Sequence, residues 1–167
     1  MKISRNAAAL ASLSERNAMS QANATGTPVA TNTPSPARLL LAEDDFELRE
    51  LLACVLRADG HEVVEACDGT ELWALLSGEH AAEGPAPYAL VVSDVRMPGL
   101  SAFDVLSRLQ RALTHTSVIL ITAFGDQHTH LRALQLGVSR VLDKPFDCDE
   151  LRTAVHDALQ QQARRAS

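Results

Sequence analysis

Five side chains stand where apolar runs of this sequence give out, and their types belong together chemically. LLLA at 39 to 42 gives way to Glu43 and Asp44, and LVVS at 90 to 93 ends at Asp94. VILI at 118 to 121 is followed by Thr122, and the short run at 141 and 142 by Lys144-Pro145. Carboxylates about 4 Å apart repel by roughly 4 kcal/mol at an effective dielectric near 20. Gathered acids therefore take up protons or recruit a cation. A hard divalent ion held by carboxylates, carbonyls and water is the natural occupant, and a water-rich octahedral site beside a phosphate suits Mg²⁺. Lys144 and Thr122 then become partners of something anionic arriving beside the metal. Phosphoryl transfer needs that combination: cations to neutralise oxygens, a hydroxyl donor and an in-line nucleophile. Asp94 is the best-placed nucleophile, and its product would be an acyl phosphate.

Bringing these residues together is a matter of topology. Strand candidates lie at Leu39 to Ala42, Glu62 to Ala66, Ala89 to Ser93, Val118 to Thr122 and Arg140 to Leu142. Helical stretches separate them, and a fifth follows the last strand. In the first, Leu48, Leu51, Leu52, Val55 and Leu56 form one apolar face. Leu72, Leu75 and Leu76 mark the second, Leu106, Leu109 and Leu113 the third, Leu131 and Leu134 the fourth, and Leu151, Val155 and Leu159 the fifth. Capping boxes are expected at Asp44 with Glu47, Asp68 with Glu71 and Asp147 with Glu150, while Gly60 and Gly137 fall near helix ends. The pattern predicts an α/β, doubly wound sheet. In such a sheet ligands bind beyond the carboxyl ends of the strands, where the strand order reverses. That is where the five side chains stand.

At 167 residues and 46% hydrophobic content, one ordinary domain is expected. Residues 1 to 36, with QANATGTPVATNTPSP at their end, read as a disordered extension holding at most a short helix near residues 6 to 18. SGEHAAEGPAP, residues 77 to 87, is expected to be an exposed connection. The net charge is -6, yet the first 37 residues carry +2 (Lys2, Arg5 and Arg16 against Glu15), leaving -8 for the remainder. That balance argues against a nucleic-acid footprint. Cys54, Cys67 and Cys148 fit neither a disulfide framework nor a zinc pattern and are expected to be small buried thiols in a reducing cytosol. No apolar stretch approaches a membrane span, and AAALASL is short and weakly apolar for a signal-peptide core.

AEDD at 42 to 45, SDVRMPG at 93 to 99, ILITAFGD at 119 to 126 and LDKPF at 142 to 146, in this order and spacing, resemble the receiver domain of bacterial two-component response regulators. The resemblance covers residues 38 to about 160. It implies a flavodoxin-like (βα)5 fold, with a five-stranded parallel sheet of order 2-1-3-4-5 and helices on both faces. The receiver would occupy residues 37–160, between the extension and a flexible tail at 161–167. Asp94 would accept phosphate from a sensor histidine kinase or a histidine phosphotransfer protein. Mg²⁺ would be held by Glu43, Asp44, Asp94 and the backbone carbonyl of Arg96. Thr122 would bond the phosphoryl group, Lys144 would pair with it, and the Lys144-Pro145 peptide would be cis. The implied protein is a cytoplasmic phosphorelay module rather than an enzyme, beyond accepting phosphate and slowly losing it.

Two departures from the family pattern carry expectations of their own. The family commonly has Tyr or Phe three residues before the lysine, where this chain has Val141; Phe124 and the loop after Thr122 are then candidates to report phosphorylation. Arg96 and Phe124, two residues beyond Asp94 and Thr122, are bulky enough to restrict an attacking water and lengthen the phosphorylated lifetime. After the fifth helix little sequence remains, so the expectation is a stand-alone receiver without a DNA-binding domain, soluble, monomeric or a weak phosphorylation-dependent dimer. Its downstream target would meet the fourth helix, fifth strand and fifth helix, with His128, Arg132 and Gln135 exposed. Plainer readings compete: Asp44 as a helix cap, Asp45 as a cap or solvated acid, Lys144 as a surface lysine, Thr122 as a strand residue, and His61, His80, His115 and His156 as solvent-facing. His128 and His130, two apart, do not share a helix face as metal ligands would. Trp73 would cover the second helix's flank. The alternatives in function are a phosphorylation-independent interaction domain and a haloacid-dehalogenase-like phosphatase. The latter needs a second Asp where this chain has Arg96.

Overall fold

The computed structural model describes residues 36–78, 88–109, 113 and 115–165. Five strands alternate with five helices: β1 (Arg38–Ala42), α1 (Phe46–Ala58), β2 (Glu62–Ala66), α2 (Gly69–Ser77), β3 (Leu90–Asp94), α3 (Ala102–Leu109), β4 (Ser117–Thr122), α4 (Gln127–Gln135), β5 (Arg140–Asp143) and α5 (Cys148–Arg165). The strands form one parallel sheet of order β2-β1-β3-β4-β5, the order that the resemblance implies. The order reverses between β1 and β3, where Leu39 pairs with Leu90 and Ala42 with Ser93. The expected extension, its short helix and most of the 77 to 87 connection lie outside the described residues. The last helix continues to Arg165, through residues expected as a flexible tail.

Continuous apolar strands follow from burial on both sheet faces. Side chains alternate along a strand, so Leu39, Leu41, Leu90, Val92, Ile119 and Ile121 pack with α1 and α5. Leu40, Ala42, Val91, Val118 and Leu120 pack on the opposite face with α2, α3 and Ala133 of α4. Every residue of β3 and β4 is buried. At that depth any polar residue must be paired or functional.

Local signals set the helix limits. Gly60 and Gly137 adopt φ of 92° and 75° just past α1 and α4, the left-handed conformation that glycine takes most readily. Asp147 and Glu150 form the expected reciprocal box at 2.8 and 3.0 Å. Asp68 caps Thr70 and Glu71, but Glu71 reaches back to the Cys67 N–H. The cap of α1 is Asp45, which accepts from Leu48 N–H at 2.9 Å, rather than Asp44. That one-residue difference leaves the Asp44 side chain available to the rim.

Helix α4 departs from its expected packing. Leu131 and Leu134 are 52% and 72% exposed, and Ala133 is the residue of α4 that is buried. The small Ala133 side chain allows close approach to the sheet, and polar contacts supply lateral attachment. The Arg132 guanidinium lies 4.6 Å from the Phe103 ring centre, and His130 meets Asp143 at 3.2 Å. Trp73 on α2 is half-buried against the core, with Arg108 over its ring, in keeping with a flank-covering role.

Two minor expectations also change. Cys54 and Cys67 are exposed and Cys148 half-buried, because Cys54 faces away from the core side of α1 and Cys67 lies beyond the end of β2. His61 is buried rather than solvent-facing, and its Nδ1 accepts the Ala37 N–H at 3.3 Å. Burial holds its imidazole below the ordinary pKa, outweighing the opposing pull of Asp59. The unfolded chain therefore takes the proton first, so His61 weakens the fold as pH falls below its unfolded pKa of about 6.5. In urea titrations, His61→Gln is expected to lose less stability than wild type between about pH 7.5 and 5.5; equal losses would rule this out.

Candidate functional site

The rim at the carboxyl ends of β1, β3, β4 and β5 gathers the residues singled out by the sequence. Glu43 extends the ladder past β1 by donating its N–H to Ala66 O at 3.2 Å, and its side chain is buried. Asp44 follows it and is exposed. Asp94 is the last residue of β3, 6% exposed, paired in register with Ile121. Ligand oxygens of Glu43, Asp44 and Asp94 lie within 4.8 Å of one another.

Lys144 crosses from beyond β5 to this cluster. Its Nζ donates to Glu43 Oε2 at 2.9 Å and Asp94 Oδ2 at 2.5 Å. Burial works against its ammonium form, but bonds to Asp94 and Glu43 outweigh that and hold its pKa above the ordinary lysine value. Burial likewise pushes Glu43 up, and the Lys144 bond and charge offset this only in part. One ammonium among three carboxylates leaves a deficit of positive charge. This donor set, all hard oxygens and net negative, fits a divalent cation such as Mg²⁺.

The remaining residues line the same rim. Thr122, 2% exposed, accepts the Phe124 N–H at its Oγ1 at 3.1 Å, while its carbonyl accepts Lys144 N–H at 2.7 Å. Arg96 donates its N–H to Asp94 Oδ1 at 2.8 Å. The guanidinium of Arg96 stacks 4.8 Å from the Phe124 ring centre, bringing together the two bulky positions beyond Asp94 and Thr122. The Lys144-Pro145 peptide is cis. Neither Arg49, which donates to the Glu43 carbonyl at 2.7 Å, nor Asp143, which faces His130, is visible in the sequence as part of this region. In the text both are ordinary charged residues on the borders of elements. His128, Arg132 and Gln135 line a shallow surface depression with Leu131, along α4.

A doubly wound α/β module with an acidic, lysine-bridged cluster at its topological switch point is the class that fold and site define. The chain belongs to the response regulator receiver domain family, whose model matches residues 39–156. Transcriptional regulatory protein GlrR of Escherichia coli is 37% identical over 128 residues, covering 77% of this chain and 27% of GlrR. Transcriptional regulatory protein TcrA of Mycobacterium tuberculosis is 36% identical over 117 residues, covering 70% and 44%. Among solved structures, a response regulator receiver domain protein from Clostridium thermocellum superimposes with a TM-score of 0.67 at 26% identity, covering 76% of this chain and 97% of that one.

The chain thus spans less than half the length of these two relatives, and that corrects the expectation of a stand-alone receiver lacking a DNA-binding domain. The matched part is one portion of longer transcriptional regulatory proteins. How little sequence follows α5 therefore says nothing about how a signal leaves the domain. Among the described residues no helix is long and apolar enough to cross a membrane.

Proposed function

We propose that this receiver is a phosphorylation-operated relay module of the bacterial cytoplasm, with Asp94 as phosphoacceptor and a sensor histidine kinase or histidine phosphotransfer protein as donor. The observation that carries the reading is the Asp94 carboxylate, buried at a strand end and bonded to Lys144 and the Arg96 N–H. An Asp94 oxygen would form the new P–O bond as the P–N bond to the donor imidazole breaks. The leaving nitrogen keeps the electron pair and takes a proton from solvent. Mg²⁺ would be held by Glu43, Asp44, Asp94 and the Arg96 carbonyl, supplying charge neutralisation at the phosphoryl oxygens. Lys144 would pair with one of those oxygens and Thr122 Oγ1 would donate to another. Beyond this exchange and slow loss of phosphate, no catalytic turnover is assigned to the domain. The test is phosphate incorporation from acetyl phosphate and Mg²⁺, read as intact mass.

With Val141 in the usual aromatic place, the loop after Thr122 is the route by which phosphorylation would reach α4. Thr122 Oγ1 already holds the Phe124 N–H, so a hydroxyl that turns toward a phosphoryl group releases this bond. Partner binding by Phe124→Ala is expected to lose its dependence on phosphorylation. Full dependence in that variant would exclude Phe124 as the reporter.

The Arg96–Phe124 stack also governs how water reaches the rim. Replacing both residues with Ala is expected to shorten the phosphorylated half-life severalfold, followed by loss of the added mass over time. Slower loss from the double variant than from wild type would overturn this role.

A further inference from the structure

We infer that Arg49 is a positioning residue for the acidic cluster: from α1 it fixes the backbone on which Asp44 stands, and so sets how well the rim holds a divalent cation. The inference rests on the phosphoacceptor reading and goes beyond it, since Arg49 touches neither Asp94 nor Lys144 in any contact described above. Asp44 is the exposed member of the cluster, and its orientation depends on the two peptide groups flanking it. The Glu43 carbonyl, on one side, accepts from Arg49 Nη1 at 2.7 Å. The Asp45 N–H, on the other, donates to Glu43 Oε1 at 3.2 Å. The Glu43 N–H is spent on Ala66 of β2 at 3.2 Å. Three consecutive peptide groups are thereby tied down, and Arg49 holds the middle one.

Arg49 is itself held in place. Its Nε faces Glu65 Oε2 on β2 at 3.4 Å, its side chain is 12% exposed, and its guanidinium lies 5.6 Å from the Phe46 ring centre. Glu65 is also fixed, by Arg57 at 2.8 Å. A planar guanidinium can meet a carbonyl and a carboxylate at once, which a single ammonium does less well. The arrangement runs from β2 through Glu65 and Arg49 to the turn that presents Glu43 and Asp44. Groups that orient metal ligands in this way commonly matter nearly as much as the ligands.

Charge and position make opposite predictions. A cation near a Mg²⁺ site repels the ion, so if Arg49 acted by charge alone its removal would tighten binding. If it acts by position, removal loosens binding. Isothermal titration of the full chain with MgCl2 is expected to show Kd raised roughly tenfold in Arg49→Ala, with Arg49→Lys between it and wild type. Phosphorylation by acetyl phosphate should be slow in Arg49→Ala at low Mg²⁺ and recover at saturating Mg²⁺. Mg²⁺ affinity equal to or tighter than wild type would overturn the inference. Should Arg49→Ala fail to fold, Glu65→Gln carries the test, with weakened Mg²⁺ binding expected and unchanged binding overturning it. Hydrogen exchange without metal separates this inference from the phosphoacceptor reading. The Asp45 amide should exchange faster in Arg49→Ala than in wild type even if wild type binds no Mg²⁺, and unchanged exchange overturns the positioning role.

Discussion

Asp94→Asn is expected to abolish phosphate incorporation, while wild type incubated with Mg²⁺ and acetyl phosphate gains the mass of one phosphoryl group. Loss should be complete rather than partial, because the substitution removes the attacking carboxylate and not a group that assists it. The amide oxygen that replaces Oδ1 still accepts from the Arg96 N–H; the NH2 in place of Oδ2 cannot accept from Lys144, whose Nζ keeps its bond to Glu43. The fold should therefore persist, and a circular dichroism spectrum matching wild type separates lost chemistry from lost structure. Exposed acids elsewhere serve as the internal control: Asp45 caps α1 and Asp126 caps α4, so both accept backbone N–H groups and stand outside the lysine-bridged cluster. Phosphate remaining on Asp94→Asn would move the acceptor elsewhere. No phosphate on wild type would favour a phosphorylation-independent interaction domain.

Most of this site was legible in the sequence because a parallel sheet converts strand ends into a shared rim. Glu43, Asp94 and Thr122 each follow a run of residues with no reason to stop except to reach that rim, and the register of β3 with β4 places Asp94 beside Ile121, next to Thr122. Lys144 alone reads as a surface lysine; its bonds to Glu43 and Asp94 link residues 101 and 50 positions apart in the chain, which no local pattern conveys. The α1 cap was displaced by one residue because Asp44 and Asp45 are chemically alike at a helix start, and backbone geometry chose Asp45. Arg49 was invisible for a related reason. An arginine one turn into an amphipathic helix normally faces water, and its bond to the Glu43 carbonyl depends on how tightly the preceding turn folds back.

Helix α4 shows where periodicity misleads. Leu131 and Leu134, spaced three apart, carry the signature of a buried stripe. Two leucines in a nine-residue helix do not fix which side meets the sheet when Ala133 between them can approach more closely. The exposed pair, with Phe124 at 61% exposure before the helix, leaves an apolar outer surface beside the loop that Thr122 holds. The expected output surface at α4 is thus more apolar than His128, Arg132 and Gln135 alone suggested.

Lys144→Met should reveal how far the rim depends on a cation even before any phosphate arrives. In wild type the ammonium lies against two carboxylates, one of them on the 1% exposed Glu43. Removing it leaves Glu43, Asp44 and Asp94 clustered with no lysine between them, and breaking a buried pair by deleting one partner is costly. The expected loss is about 2 kcal/mol in metal-free urea denaturation, below the value for fully buried pairs because Lys144 is partly exposed and Glu43 can take up a proton. Two additions should each recover part of the loss for different reasons. Mg²⁺ replaces the missing positive charge, so the gap between variant and wild type should narrow as it is added. Glu43→Gln in the same chain removes the most deeply buried charge, so the double variant should be more stable than the sum of the single effects implies. A metal-free Lys144→Met protein as stable as wild type would mean that the ammonium does not hold the carboxylates together; its partnership with a phosphoryl group would then rest on the phosphorylation kinetics alone.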